Sequence, residues 1–189
     1  DSLDALAASS LKIIIQDPRS STPGLGLLLW LQTVKGDQAA AYWAELADNV
    51  VTVTKGWSGA YGMFLEGEAD MVLSYTTSPA YHLIAEEDAS KSAAEFSEGH
   101  YMQVEVAAKL VSSEHQALAD EFMAFITTDA FQNVIPETNW MYPATRSHTA
   151  LPTAFNGLVS PKTTLLFDAS VVAHQRKIWI REWLDALTD

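Results

Sequence analysis

Cysteine is absent from the 189 residues of this chain. Without thiols the chain can form no disulfide, no thiolate metal site and no cysteine nucleophile. Positive charge is also scarce, because 11 Lys and Arg stand against 24 Asp and Glu, a formal net charge of -13 at pH 7. Such a surface repels nucleic-acid phosphates and anionic membrane lipids. We therefore expect no nucleic-acid partner.

Catalytic motifs are equally scarce. The five histidines show no metal-ligand spacing, and no nucleophile-elbow, phosphate-loop or dinucleotide pattern is present. The acidic run Glu86, Glu87 and Asp88 is interpreted as facing solvent. We therefore predict no catalytic residue, no metal site and no cofactor, and favour a binding protein over an enzyme.

Alternating strand and helix patterns predict the fold class. The β-branched run at 12–16 indicates a buried parallel strand, and further strands are predicted at 50–53 and 70–75. Helices are predicted at 37–47, at 59–66, from 77 onwards and at 168–187, and the run 101–110 is typical of a long strand. Two more helices are expected at 114–126 and 129–135. This order predicts an open α/β sheet with flanking helices.

The loop at 20–24 has the composition of a helix start. Its hydroxyl residues precede Pro23, which suits the first helical turn. A helix N-terminus presents free N–H groups and partial positive charge, so this loop can also bind an anion. Capping is the more common meaning of the pattern, and both interpretations stay open here. The residues concerned are Ser20, Ser21, Thr22 and Gly24.

Aromatic residues cluster where predicted strands give way to helices. Trp57, Tyr75 and Tyr81 occupy such positions, and open α/β sheets bind ligands at the carboxyl ends of their strands. A single aromatic is more often core, but three beside hydroxyl-rich loops favour a ligand wall. Trp140, next to Asn139 in an irregular polar segment, is a further candidate.

Four segments carry a resemblance to a known family: QDPRSSTPGLG at 16–26, VTKGWS at 53–58, LSYTTSPAY at 73–81 and NWMYP at 139–143. Together they resemble the periplasmic thiamine-binding proteins of bacterial ABC importers, over essentially the whole chain. The resemblance implies a type II periplasmic-binding fold, in which two α/β lobes close on thiamine or its phosphate esters. It also implies a periplasmic location and delivery of the ligand to the membrane subunits of an ABC transporter.

The resemblance assigns roles to individual residues. Ser21 would contact the phosphate or hydroxyl end of the ligand. Thiamine carries a thiazolium cation and a flat aminopyrimidine, which suit ring stacking and cation–π attraction. The complete expected set is Ser20, Ser21, Thr22 and Gly24 on the helix-start loop, Trp57, Tyr75, Tyr81 and Trp140 as an aromatic wall, and Asn139 beside it.

The sequence departs from the family at its front, where the resemblance implies a first lobe ahead of Asp1. We therefore expect residues 1–103 to form the core of the second lobe, and 104–150 to supply a crossover strand and helices that pack on the missing first lobe. Residues 151–189 would return to the second lobe. The helices at 114–135 should then expose apolar side chains, covered by a separate N-terminal lobe, a swapped segment or a dimer partner.

Three alternative functions remain. A ferric-ion or oxyanion receptor would use Tyr75 and Tyr81, although such receptors typically use adjacent tyrosines and these are six positions apart. A thiamine-processing enzyme on the same fold would resemble a thiaminase that uses a cysteine nucleophile, which this chain lacks. The third is a structural fragment with no activity of its own.

Overall fold

The computed structural model describes residues 2–145 and 149–188. The chain divides into two compact units. Unit 1 comprises Asp1–Ser74, Glu95–Gln103 and Pro161–Asp189, and unit 2 comprises Tyr75–Ala94 and Val104–Ser160. The lobe assignment expected from the resemblance stays a prediction. Among the described helices, none combines the length and apolar character that a membrane span requires.

Unit 1 is built on a parallel sheet with the strand order β2-β1-β3. Strand β1 (Ile13–Gln16) lies in the centre, and its four side chains are all buried. It pairs with β2 (Val50–Thr54) and β3 (Met71–Val72), so that Ile14 lies between Thr52 and Val72. The buried β-branched run is that of a central parallel strand, which confirms the predicted α/β class.

Helices flank this sheet and supply most of the core of unit 1. They are α1 (Leu3–Ala7), α2 (Thr22–Lys35), α3 (Ala39–Leu46), α4 (Trp57–Leu65) and α9 (Ala169–Thr188), with 3-10 turns at Gly36–Gln38 and Ala47–Asn49. A two-residue parallel pair, β4 (His100–Tyr101) and β5 (Thr164–Leu165), completes the unit. Trp183 of α9 packs edge-on against Trp43 of α3 with ring centroids 6.3 Å apart. Trp183 therefore belongs to the hydrophobic core of unit 1.

Unit 2 consists of short helices joined by irregular chain. These are α5 (Ser78–Ala85), α6 (Gln116–Phe125), α7 (Asp129–Gln132), α8 (Ile135–Thr138) and a 3-10 turn at Thr153–Gly157. Gln132 fixes the path of the chain around α7. Its buried amide donates to the Ile126 carbonyl at 2.6 Å and accepts from the Ala144 N–H at 2.7 Å.

Three predicted elements were wrong in extent. The strand predicted at 70–75 is limited to Met71–Val72. The predicted long strand at 101–110 is limited to His100–Tyr101, because the ladder ends where the Met102 N–H bonds Leu165 O of the short strand β5. Alternation of valine and polar residues indicates an extended chain, but a strand also needs a neighbouring strand to pair with, and the local pattern does not predict one. The predicted helix at 129–135 is two short helices, α7 and α8, and Pro136 at the start of α8 suits a new first turn.

Helix α6 exposes apolar side chains, as the sequence predicted. None of its residues is buried, and Leu118, Phe122 and Phe125 are 64%, 51% and 47% exposed. Phe131 of α7 contacts both phenylalanines edge-on, at centroid distances of 6.4 and 5.7 Å. We call these four residues the α6 surface.

Candidate functional site

In unit 1, the loops that follow the three strands are joined at the carboxyl edge of the sheet. The Ser20 hydroxyl, after β1, donates to the Lys55 carbonyl after β2 at 2.7 Å. The Trp57 indole N–H, at the start of α4, donates to the Ser74 hydroxyl after β3 at 2.9 Å. The structure therefore links Ser20 and Trp57 to this edge, the position at which parallel sheets bind ligands.

The start of α2 shows how its loop residues are used within the fold. Ser21 is the N-cap, and its hydroxyl accepts a hydrogen bond from the Gly24 N–H at 3.4 Å. A Cβ added at Gly24 would lie 2.4 Å from the Gln16 carbonyl oxygen, so glycine lets the helix start against the end of β1. Thr22 is exposed. Capping is therefore established, and ligand contact by these residues stays a prediction.

Trp57 is half of an aromatic stack on α4, and Tyr61, its other half, is not among the predicted site residues. Tyr61, one turn further along α4, lies against Trp57 with ring centroids 4.6 Å apart and planes inclined by 22°. The spacing of four residues on one helix was the available indication. The stack orients the half-buried Trp57 ring near the carboxyl edge of the sheet.

In unit 2, the structure brings Tyr81 and Trp140 together. Their ring centroids lie 5.2 Å apart at an interplanar angle of 78°, an edge-to-face contact. The Trp140 backbone has a φ of 56°, the left-handed region that a bulky residue rarely adopts. Strained conformations of this kind cluster at ligand sites, because the surrounding structure must hold them in place.

The remaining two predicted residues of unit 2 make polar contacts of their own. The Tyr75 N–H donates to the Ser78 hydroxyl at 3.3 Å at the beginning of α5. The Asn139 amide donates to the Glu105 carboxylate at 2.9 Å. This contact joins residues 34 positions apart, so no local sequence pattern could indicate it.

Glu86 and Glu87 are exposed, as predicted for the acidic run, and Glu86 also contacts a buried residue of α5. His82 is fully buried, and its Nδ1 lies 2.6 Å from the Glu86 carboxylate. This hydrogen bond to His82 is the main cause of the lowered pKa of Glu86. The spacing of four residues between His82 and Glu86 is the local pattern that indicates a shared helix face.

Side-chain atoms of His82, Glu86 and Asp88 approach one another within 4.8 Å, a grouping that metal sites share. Asp88, however, already accepts hydrogen bonds from Ser90 N at 2.7 Å and from Lys91 Nζ at 3.0 Å. The Ser90 hydroxyl, which donates to Asp88 at 2.9 Å, is the main cause of a pKa well below the ordinary value, and the other two bonds lower it further. We assign the group to the local hydrogen-bond network of α5.

The predicted ligand residues divide between the two units. Unit 1 holds the hydroxyl-rich helix start and one stacked aromatic, and unit 2 holds an aromatic pair and an amide. Such groups suit a flat, cationic molecule with a polar or anionic end. The division is Ser20, Ser21, Thr22, Gly24 and Trp57 in unit 1, with Tyr75, Tyr81, Asn139 and Trp140 in unit 2.

Comparison with known proteins gives consistent matches. The chain is 56% identical to the thiamine-binding periplasmic protein of Salmonella typhimurium, over 99% of this chain and 57% of the relative. It is 56% identical to the protein of that name from Escherichia coli, over 94% of this chain and 54% of the relative. It is 43% identical to the thiamine-binding periplasmic protein of Haemophilus influenzae, over 94% of this chain and 53% of the relative. The chain thus spans somewhat more than half the length of these relatives.

A solved structure and a family model complete the comparison. A periplasmic thiamin binding protein superposes with a TM-score of 0.95 at 54% identity, over 100% of this chain and 59% of that one. The fold is therefore of the type II periplasmic-binding class. The model of the bacterial extracellular solute-binding proteins matches residues 3–133. On this evidence the chain belongs to the bacterial extracellular solute-binding protein family.

Proposed function

We propose that this chain is part of a periplasmic thiamine carrier that delivers its ligand to the membrane subunits of an ABC importer. The supporting observation is the 56% identity to a thiamine-binding periplasmic protein along 99% of the chain.

The chemistry of thiamine fits these aromatic groups. The face of an aromatic ring attracts a cation and stacks on a flat heterocycle, and thiamine contains both a thiazolium and an aminopyrimidine. Trp57 is held by its stack on Tyr61, and Tyr81 by its contact with Trp140. The strained backbone of Trp140 further supports a ligand role for this residue.

Phosphate esters of thiamine would use the start of α2. This helix has 14 residues and no acidic residue in its first turn, so its N-terminal field is not offset there by a carboxylate. The exposed hydroxyls of Ser20 and Thr22 add hydrogen-bonding groups. We propose that thiamine monophosphate and diphosphate bind through this loop together with Ser21 and Gly24.

We further propose that the chain binds its ligand without transforming it.

The alternative function as a ferric-ion receptor would require Tyr81 as a phenolate. The nearby Glu86 carboxylate raises the pKa of Tyr81 and so opposes the phenolate form.

Equilibrium dialysis against thiamine, its monophosphate and its diphosphate tests the carrier function. We expect saturable retention, with ligand recovered chemically unchanged when the retained fraction is examined by chromatography. Retention of none of the three would contradict thiamine binding. Recovery of cleaved thiamine would show that the protein is an enzyme.

The α6 surface is the proposed contact with another polypeptide. We propose that a separate N-terminal lobe covers it, because the relatives are longer than this chain and α6 buries none of its own residues here. The dye anilinonaphthalene sulfonate should bind the chain alone and be displaced by the part of the Salmonella relative that this chain does not cover.

Substitution on the α6 surface provides the control. Phe122→Ser should abolish both dye binding and binding of the part of the Salmonella relative that this chain does not cover. Val51→Ser, at an exposed valine of β2, should leave both unchanged. A concentration-dependent dimer in light scattering that Phe122→Ser dissociates would instead identify a second copy as the occupant.

A further inference from the structure

The indole of Trp57 donates a hydrogen bond to Ser74, a residue outside the expected ligand set. Its Nε1 lies 2.9 Å from the Ser74 hydroxyl oxygen, which accepts the bond. The two residues come from different elements, because Trp57 begins α4 and Ser74 follows β3. Both are half-buried, so the indole keeps part of its surface accessible while its N–H is bound. The hydrogen bond therefore ties the Trp57 ring to the carboxyl edge of the sheet.

The chain at Ser74 is fixed to the central strand through its neighbour Leu73. The Leu73 N–H donates to the Ile14 carbonyl at 2.9 Å, next to the paired residues of β1 and β3. The Leu73 carbonyl accepts from the side-chain amide of Gln16 at 3.1 Å. Gln16 is buried and is the last residue of β1. The Ser74 hydroxyl is thus carried on backbone that the buried strand β1 holds in place.

Tyr61 restrains the same indole through its ring. The two ring centroids lie 4.6 Å apart with planes inclined by 22°, and Tyr61 is itself buried. The backbone just before Trp57 is held as well, because the Lys55 carbonyl accepts from the Ser20 hydroxyl at 2.7 Å. An indole fixed at its ring and at its N–H loses little side-chain entropy when a ligand stacks on it.

We propose that Ser74 is a positioning residue for ligand binding: its hydroxyl, together with the Tyr61 ring, fixes the Trp57 indole in the orientation that receives a flat cationic ligand. This inference rests on the proposed function. Fixed second partners of this kind increase affinity by organising the site before the ligand arrives. Ser74 acts through Trp57 and requires no contact of its own with the ligand.

A double-mutant cycle measured by thiamine calorimetry tests the proposal. Ser74→Ala should weaken binding by about two- to tenfold, since it removes one neutral hydrogen bond. Trp57→Phe keeps an aromatic ring but has no indole N–H, so adding Ser74→Ala to that variant should cause no further loss. A loss of equal size in both backgrounds, or parent-like affinity in Ser74→Ala, would overturn the proposal.

Conservative replacement shows whether the hydroxyl is the group that acts. Ser74→Thr keeps an accepting hydroxyl and should stay within about twofold of the parent affinity. Ser97→Ala removes the hydroxyl of an exposed serine of the same unit, which donates to Glu98 at 3.0 Å, and should have no effect. A loss in Ser74→Thr equal to that in Ser74→Ala would overturn the role of the hydroxyl. Should Ser74→Ala fail to fold, Ser74→Cys, whose thiol is a weak acceptor, replaces it in the cycle.

The indole N–H of Trp57 provides a readout that needs no ligand. Among the indole signals of the six tryptophans in the NMR spectrum, that of Trp57 is the one missing in Trp57→Phe. Ser74→Ala should shift this signal and speed the exchange of its proton with water, because the hydrogen bond is lost. An unchanged signal would refute the positioning role. Failure of the parent to bind thiamine, with the signal shifted as expected, would refute instead the carrier function on which the proposal rests.

Discussion

Gly24 shows at the residue scale how one missing side chain positions a helix. A methyl group there would overlap the Gln16 carbonyl, at 2.4 Å from its oxygen. The close approach places the start of α2 against the carboxyl end of β1, where the predicted anion loop lies. The same feature serves the fold and the candidate site.

We predict that Gly24→Ala destabilises the chain by about 1 to 3 kcal/mol, because backbone must move to admit the methyl group. Urea unfolding followed by circular dichroism measures the change. Gly26→Ala is the matched control, since a Cβ there meets no heavy atom within 4 Å. Its helical position should make that variant more stable by about 0.5 to 1 kcal/mol. Equal effects of the two substitutions would contradict the packing role of Gly24.

Single residues also mark the limit of sequence-based prediction. The hydroxyls before Pro23 identified the start of α2, because capping and proline preference act within a few positions. The partners of Trp57 and Asn139, namely Ser74 and Glu105, lie 17 and 34 positions away. Tertiary folding alone creates such pairs, so the sequence offers no local indication of them.

At the scale of elements, β4 carries a histidine whose protonation opposes folding. The half-buried His100 ring lies 5.1 Å from the Trp30 ring, and its Nε2 accepts a hydrogen bond from the Phe96 N–H at 3.1 Å. Burial lowers the pKa of His100 below its ordinary 6.5. Protonation at Nε2 would also remove the acceptor for Phe96.

The sign of the resulting pH dependence follows from proton binding. The unfolded chain binds this proton more readily, so the stability that neutral His100 supports is present above pH 6.5 and is lost as the pH falls towards the lowered pKa. We predict that His100→Gln flattens the decline in unfolding free energy between neutral pH and about pH 5. The exposed His174 provides the control variant, His174→Gln, which should retain the decline. An identical decline in His100→Gln and the parent would exclude this role.

Elements differed in how well the sequence predicted them. Strand β1 and helices α2, α6 and α9 were predicted because each has apolar residues at the spacing of its element, and α2 also has hydroxyl residues and Pro23 at its start. The run at 101–110 alternates like a strand, yet β5 offers it a partner of only two residues. Strand length depends on the neighbouring strand as well as on the run itself.

At the scale of the whole molecule, the chain carries the residues of a solute-binding protein over somewhat more than half the length of its relatives. The candidate ligand groups are distributed over both units rather than gathered in one. The resemblance identified these residues, and the contacts of Trp57 and Tyr81 explain how their rings are held. That these rings contact thiamine is the claim on which the proposed carrier function depends.

Isothermal titration of thiamine into the parent chain and two tryptophan variants tests this claim most directly. Trp57 stacks on Tyr61, and Trp179 stacks on Phe167 in the same unit at 5.1 Å, which makes the two tryptophans a matched pair. We predict that Trp57→Ala weakens thiamine binding by more than about tenfold, while a folded Trp179→Ala binds as the parent does. Parent-like affinity in Trp57→Ala, or no measurable binding by the parent, would contradict the account.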